Sequence, residues 1–370
     1  MIQKIKRKRH LGDRQIIYTV KMNPAEISNS AVPSSACRPQ GKGRFVTITA
    51  DARTAVKVRP VAGYAGADIS GVDISAPLSA EEIAQIKDAL HKYKVIFFRE
   101  QFLTHRQEVE FGAQFGKLTY AHPHDDAPPA DQPEIYTVDH KRFEERYGDD
   151  YRKALRRSYD RSLFTGWHTD VTAAVNPPAG SILRADVVPD IGGDTQWTNL
   201  QAAYEGLSEP VQKFIDGLRA EHRYGGERSY GNTAMAQRIE DNLLVAIHPV
   251  VRVHPVTKAK GLFVNPGFTS HIVDLSPRES KAVLDLLYGQ LTRPEYTVRF
   301  RWEPGSVAFW DNRATAHLAP TDYEHLGQRR TLHRVTLIGD VPVGPDGRES
   351  ELVAGKPFTD KHEVVVAAAS

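Results

Sequence analysis

Apolar residues along this chain of 370 residues switch repeatedly between a helical stripe and short alternating runs. Val56-Lys57-Val58-Arg59-Pro60 alternates and predicts a strand. Ser79-Ala80-Glu81-Glu82 has the capping-box pattern, and Ile83, Ile86, Leu90 and Tyr93 then line one face of a helix. Val95-Ile96-Phe97-Phe98 follows as a buried strand. Thr104-His105-Arg106-Gln107 opens a second helix that carries Phe111 and Phe115 toward the core. Short β-rich runs recur at 181–188, 244–247, 297–302, 307–310 and 331–337, with turn residues between them. A helix from Ser276, with Pro277 at its first position, runs to Leu291 and would buttress one face. The pattern predicts a mainly β fold with flanking helices, a double-sheet barrel or jelly roll.

Residues 1–53 break any period at Asn23-Pro24, Pro33-Ser34-Ser35 and Pro39-Gln40-Gly41, and read as a flexible extension. The domain proper is expected over 54–345, with a tail at 346–370. Within it, 138–163 form a charged insertion that reads as helical: either a lid over a site or an exposed decoration. Formal charge is only +2, so no global field favours nucleic acid. The basic run Lys4-Ile5-Lys6-Arg7-Lys8-Arg9-His10 reads as a solvated terminus, and no apolar stretch after it suggests a signal or a membrane span. Cys37 is the only cysteine, which excludes internal disulfides and fits a reducing cytoplasm.

Against this background, Trp167-His168-Thr169-Asp170 stands out. On an extended strand His168 and Asp170 share a face and offer an imidazole and a carboxylate to one point. A third ligand at His317 would complete a facial triad with three open positions on the metal. Downstream, Arg330, Leu332 and Arg334 alternate onto one face of a strand, and two guanidiniums directed inward call for anions to meet them. His122, His124, Asp125 and Asp126 form a loop cluster that reads as solvated. His248, His254, His271 and His333 lack a second ligand at useful spacing and read as structural or surface residues.

These elements, together with Gly71-Val72-Asp73, Gly192-Gly193-Asp194-Thr195-Gln196-Trp197, Val264-Asn265-Pro266-Gly267-Phe268 and Trp310-Asp311-Asn312-Arg313, resemble the taurine dioxygenase family of Fe(II)- and 2-oxoglutarate-dependent oxygenases from about Val56 to Pro342. The resemblance implies the jelly-roll (double-stranded β-helix) fold, with iron on His168, Asp170 and His317. It implies 2-oxoglutarate as co-substrate, its distal carboxylate held by Thr195 and Arg330, and dioxygen as oxidant. His122 and Arg334 match the contacts to the substrate sulfonate. Asp170 stands where related halogenases carry a small residue, which favours hydroxylation.

Two positions depart from taurine dioxygenase itself. Phe164 matches an asparagine near the taurine amine, and Asp125 lies near the place of a partner tyrosine. An apolar ring cannot satisfy a buried ammonium but packs well on an alkyl chain. Phe164 and Phe268 are therefore expected at a pocket for a small anionic organic substrate without an amine, a sulfonate or sulfate ester. Hydroxylation beside its head group would give an aldehyde plus sulfite or sulfate, with succinate and carbon dioxide. A hydroxylase of a carboxylate substrate is the alternative, and a non-catalytic anion-binding or metal-sensing protein a distant third. A homo-oligomer, dimer or tetramer, is expected, with neither nucleic acid nor membrane as partner.

Overall fold

The computed structural model describes residues 56–123, 128–139, 166–224 and 234–360, with 17–18, 48–49, 141–142, 144–145 and 164. His124, Asp125, Asp126 and most of the charged insertion lie outside the described residues. The chain divides into two units, Met1–Thr54 and Ala55–Ser370. In the first, Ile17–Tyr18 pairs antiparallel with Ile48–Thr49.

The second unit is mainly β. Among the described residues, its largest sheet runs in the order Lys57–Pro60, Ala67–Ser70, Val95–Phe98, Val307–Asp311, Gly180–Val187, Thr331–Leu337, Tyr136–Val138. The pairing of Ala67–Ser70 with Val95–Phe98 is parallel, and the others are antiparallel. Alternation sorts the two faces of this sheet. Ile96, Phe98, Ile182, Phe309 and Val335 face helices Ala80–Tyr93 and His105–Ala113, packing on Ile86, Leu90 and Phe111. Both helices begin with the expected capping boxes, Ser79 with Glu82 and Thr104 with Gln107.

The opposite face presents Val95, Phe97, Leu183, Ala185, Trp310 and Leu332, and it meets Trp197, Val298 and Phe300 of a second sheet. That sheet is ordered Thr297–Phe300, Thr195–Asn199, Thr315–Leu318. Phe97 stacks on Phe300 at 4.1 Å and tilts against Trp197 at 5.6 Å. Burying each such ring contributes on the order of 2–3 kcal/mol, so these contacts fix how the sheets face each other. Behind the second sheet, helices Leu200–Glu205, Glu209–Ile215 and Pro277–Leu291 close a third cluster around Trp167, Leu287 and Tyr288.

A further sheet orders Thr269–Ile272, Arg219–Arg223, Val245–Pro249 and Glu351–Ala354. Its last strand comes from the segment set apart in sequence as a tail. Ser350 approaches His248 to 2.7 Å beside it, and Phe358 N–H donates to Asn176. No described helix is long and apolar enough to cross a membrane.

Candidate metal centre

His168 and His317 meet through the backbone. Each N–H donates to the carbonyl of the other, at 2.9 and 2.7 Å, in a bridge outside the regular strands. Residues paired in this way stand directly opposite on one face, and the two rings lie 4.2 Å apart. Along Thr315–Leu318, alternation turns Ala316 into the helical cluster and leaves His317 on the other side against Trp197 and Trp310. The Thr169 hydroxyl donates to the Thr315 carbonyl at 2.8 Å and fastens the two segments.

The route taken by Asp170 differs from the strand alternation expected of His168-Thr169-Asp170. The extended backbone ends after Thr169, Asp170 enters a turn, and Val171 adopts φ 39°. Asp170 still arrives at the same point. One donor atom from each of His168, Asp170 and His317 lies within 4.8 Å of the others.

Hydrogen bonds and burial set the state of each donor. His168 Nδ1 lies 2.9 Å from the Gly166 carbonyl. A carbonyl only accepts, so Nδ1–H is the donor of this bond and Nε2 is the nitrogen left for a metal. Burial, reinforced by His168 and Arg334, holds the pKa of His317 down to about 3, and the ring is neutral. Burial alone would raise the pKa of Asp170. Arg334, His317, His168 and the Ser181 hydroxyl outweigh it, and the carboxyl is held well below its ordinary range and ionised. Two imidazoles, that of His317 neutral, and one buried carboxylate form a donor set that fits a divalent transition metal.

Arg330 and Thr195 come together nearby. Arg330 Nε donates to the Gly193 carbonyl at 2.7 Å and Nη2 to Thr195 Oγ1 at 3.3 Å. The Trp302 indole also donates to Thr195 Oγ1, at 2.9 Å, so both lone pairs of that oxygen are used and its own proton is left to give to an acceptor. Gly193 has φ +67°, and a Cβ there would fall 3.0 Å from Arg330 Cδ; glycine is what lets the chain leading into Thr195–Asn199 pass under the arginine. Burial lowers the pKa of Arg330 to about 10, so it stays charged at neutral pH. A cavity of about 200 Å³ borders it, lined also by Tyr323, Gln328, Asp139 and Lys141.

Arg334 is buried, with Nη1 donating to Asp170 Oδ1 and its guanidinium 5.1 Å from the Tyr136 ring. His122 stacks on the same ring at 4.9 Å and meets Tyr224 edge-on at 5.7 Å. Tyr224 tilts against Phe268 at 5.5 Å, and Phe268 lies 6.3 Å from His168. His122, Arg334 and Phe268 thus belong to one aromatic wall leading to His168 and Asp170, joined by Tyr136 and Tyr224. Phe164 meets Tyr288 at 6.0 Å and packs on the helical cluster.

Residues 57–336 match the family described as taurine catabolism dioxygenase TauD, TfdA family. The chain belongs to this TauD/TfdA family. It is 39% identical over 301 residues to an alpha-ketoglutarate-dependent sulfate ester dioxygenase of Pseudomonas putida, covering 79% of this chain and 93% of that protein. An alkylsulfatase of Acinetobacter baylyi is 34% identical over 313 residues, covering 82% and 92%. A crystal structure of a taurine dioxygenase from Burkholderia xenovorans superposes with a TM-score of 0.69 at 48% identity, covering 82% and 97%. Four residues of this TauD/TfdA site carry no sequence expectation: Tyr136, Tyr224, Ser181 and the amide of Asn312. Of these only Asn312 had a signal, its place in the Trp310-Asp311-Asn312-Arg313 run.

Proposed function

We propose that this TauD/TfdA chain is an Fe(II)- and 2-oxoglutarate-dependent dioxygenase that hydroxylates the carbon beside a sulfate ester or sulfonate, with the facing sheets closing as a jelly roll. The observation that carries the reading is Arg334, a buried guanidinium on the carboxylate of Asp170, a metal ligand in this reading. An anionic head group drawn to it would lie beside the metal, with its adjacent carbon close to the reacting centre. The sulfate ester dioxygenase and alkylsulfatase relatives support that choice of head group.

His168, Asp170 and His317 would hold the metal, and iron with 2-oxoglutarate and dioxygen supplies the oxidising power for an unactivated C–H bond. Arg330 offers a planar fork and Thr195 a hydroxyl to the distal carboxylate of the co-substrate. Arg334 and His122 take the substrate anion, and Phe268 and Tyr224 pack against its carbon chain and exclude water. A hydroxyl on a carbon that bears a sulfate ester makes an unstable adduct, which collapses to an aldehyde and hydrogen sulfate. The test is a panel of alkyl sulfates, alkyl sulfonates and aryloxy acids scored for succinate, sulfate and sulfite. Sulfate or sulfite release matching succinate is expected; a stable hydroxylated acid would replace the proposal with a carboxylate hydroxylase.

A further inference from the structure

The two oxygens of Asp170 are treated differently by the fold. Oδ1 faces His317 Nε2 at 3.9 Å and carries the Arg334 contact. Oδ2 points the other way, into the large sheet. The Ser181 hydroxyl donates to it at 2.7 Å, and Asn312 Nδ2 reaches it at 3.3 Å and Ser181 Oγ at 2.9 Å. The orientation of the Asn312 amide is settled by Trp310, whose indole N–H can only donate and does so to Asn312 Oδ1 at 2.8 Å. Nδ2 must therefore face Asp170 and Ser181. Ser181 is 0% exposed, Asn312 and Trp310 1%, so water does not compete for these bonds.

Ser181 reaches this position by strand alternation. It continues the stripe of Leu183 and Ala185 that faces the second sheet, one pair nearer to the metal ligands. Asn312 follows directly on the strand Val307–Asp311, and Trp310 and Asn312 sit two residues apart, so the indole bonds within its own run.

We propose that Ser181 and Asn312 are positioning residues that occupy Oδ2 of Asp170 and thereby reserve Oδ1 as the single oxygen offered to the metal. This rests on the metal-binding role proposed above. A carboxylate oxygen has two lone-pair directions, and two donors on Oδ2 use both. The carboxylate can then take one coordination position and not two, which keeps a further position open for co-substrate and oxidant. Partners of metal ligands typically change metal affinity by about 10- to 100-fold when removed.

The test uses Co(II) alone as probe of the full chain, with affinity and visible ligand-field absorption as readouts and no turnover required. Ser181→Ala, which removes one hydroxyl without a large void, should weaken Co(II) by about tenfold and change the absorption as the carboxylate becomes free to chelate. Asn312→Asp, isosteric but facing Oδ2 with an acceptor, should weaken it further. The two readouts separate the roles: a change in how the carboxylate meets the metal alters affinity and absorption together, whereas a role in structure alone lowers affinity and leaves the absorption of the bound Co(II) as in wild type. The proposal is overturned if Ser181→Ala and Asn312→Asp bind Co(II) with wild-type affinity and spectrum, or if they weaken binding while the spectrum of bound Co(II) stays that of wild type. If the wild type itself binds Co(II) no better than His168→Ala, the metal-site reading falls and this inference with it.

Discussion

Replacing Arg330 by methionine keeps the length and most of the apolar contact of the side chain while removing its charge and its donors. In the structure those donors bind the Gly193 carbonyl at 2.7 Å and the Thr195 hydroxyl at 3.3 Å, and the group is 4% exposed. A hydrogen bond from a charged donor is worth about 1.5–3 kcal/mol. Converted at about 1.4 kcal/mol per tenfold, KM for 2-oxoglutarate should rise by roughly 10- to 150-fold. The same substitution strands the buried Gly193 carbonyl, which costs about 1–3 kcal/mol of stability, so the melting temperature should drop whether or not Arg330 meets the co-substrate. The decisive readout is thus the KM of succinate formation against 2-oxoglutarate, taken well below the melting temperature. Arg330→Lys keeps the charge but not the fork and should fall between the two. A KM for Arg330→Met within about threefold of wild type would refute the assignment.

Arg334→Gln should raise KM for an alkyl sulfate by about 10- to 150-fold, while slow succinate formation without substrate persists; an unchanged KM removes Arg334 from the substrate site. Thr195→Val should raise KM for 2-oxoglutarate less than Arg330→Met, because one neutral donor is lost; an effect equal to or larger than that of Arg330→Met would mean the arginine is not the main anchor. Acid should destabilise the fold through His248, which is buried with one nitrogen 2.7 Å from the Thr172 carbonyl. Burial holds its pKa at about 3 against an ordinary 6.5. The unfolded chain therefore takes up the proton first, and the stability from this residue is intact above pH 6.5 and lost as pH falls toward 3. His248→Asn should flatten the fall of the urea midpoint over that window, and an unaltered slope would show that other groups govern it.

What could be read from the sequence was what depends on near neighbours. The capping boxes at Ser79 and Thr104, Pro277 at the first position of its helix and the alternation of 331–337 act within a few residues, and the elements begin and end close to where the pattern puts them. His168, Asp170 and His317 were legible as residue types whose donor atoms could converge, and the structure brings those atoms together. The route by which they meet was not legible, because it depends on the long-range bridge between His168 and His317 and on the left-handed turn at Val171, a residue whose branched side chain gives no hint of it. Tyr136 and Tyr224 were missed because an aromatic beside a short strand has the pattern of an ordinary core residue. The edge strand Glu351–Ala354, exposed at Glu351, Leu352 and Val353, has no buried stripe to announce it. Glu108, fully buried against Arg184 at 3.1 Å, sits on a helix face that its charge would assign to solvent.

The central claim is that three side chains from distant parts of the chain hold one metal ion. Anaerobic titration of Fe(II) in the presence of 2-oxoglutarate tests it most directly, followed through the weak visible charge-transfer band of the chelate. The account predicts that the band saturates at one Fe(II) per chain and is lost in His168→Ala, Asp170→Ala and His317→Ala, each still folded by circular dichroism. A band of wild-type intensity in any one of these variants, or none in the wild type, would contradict it.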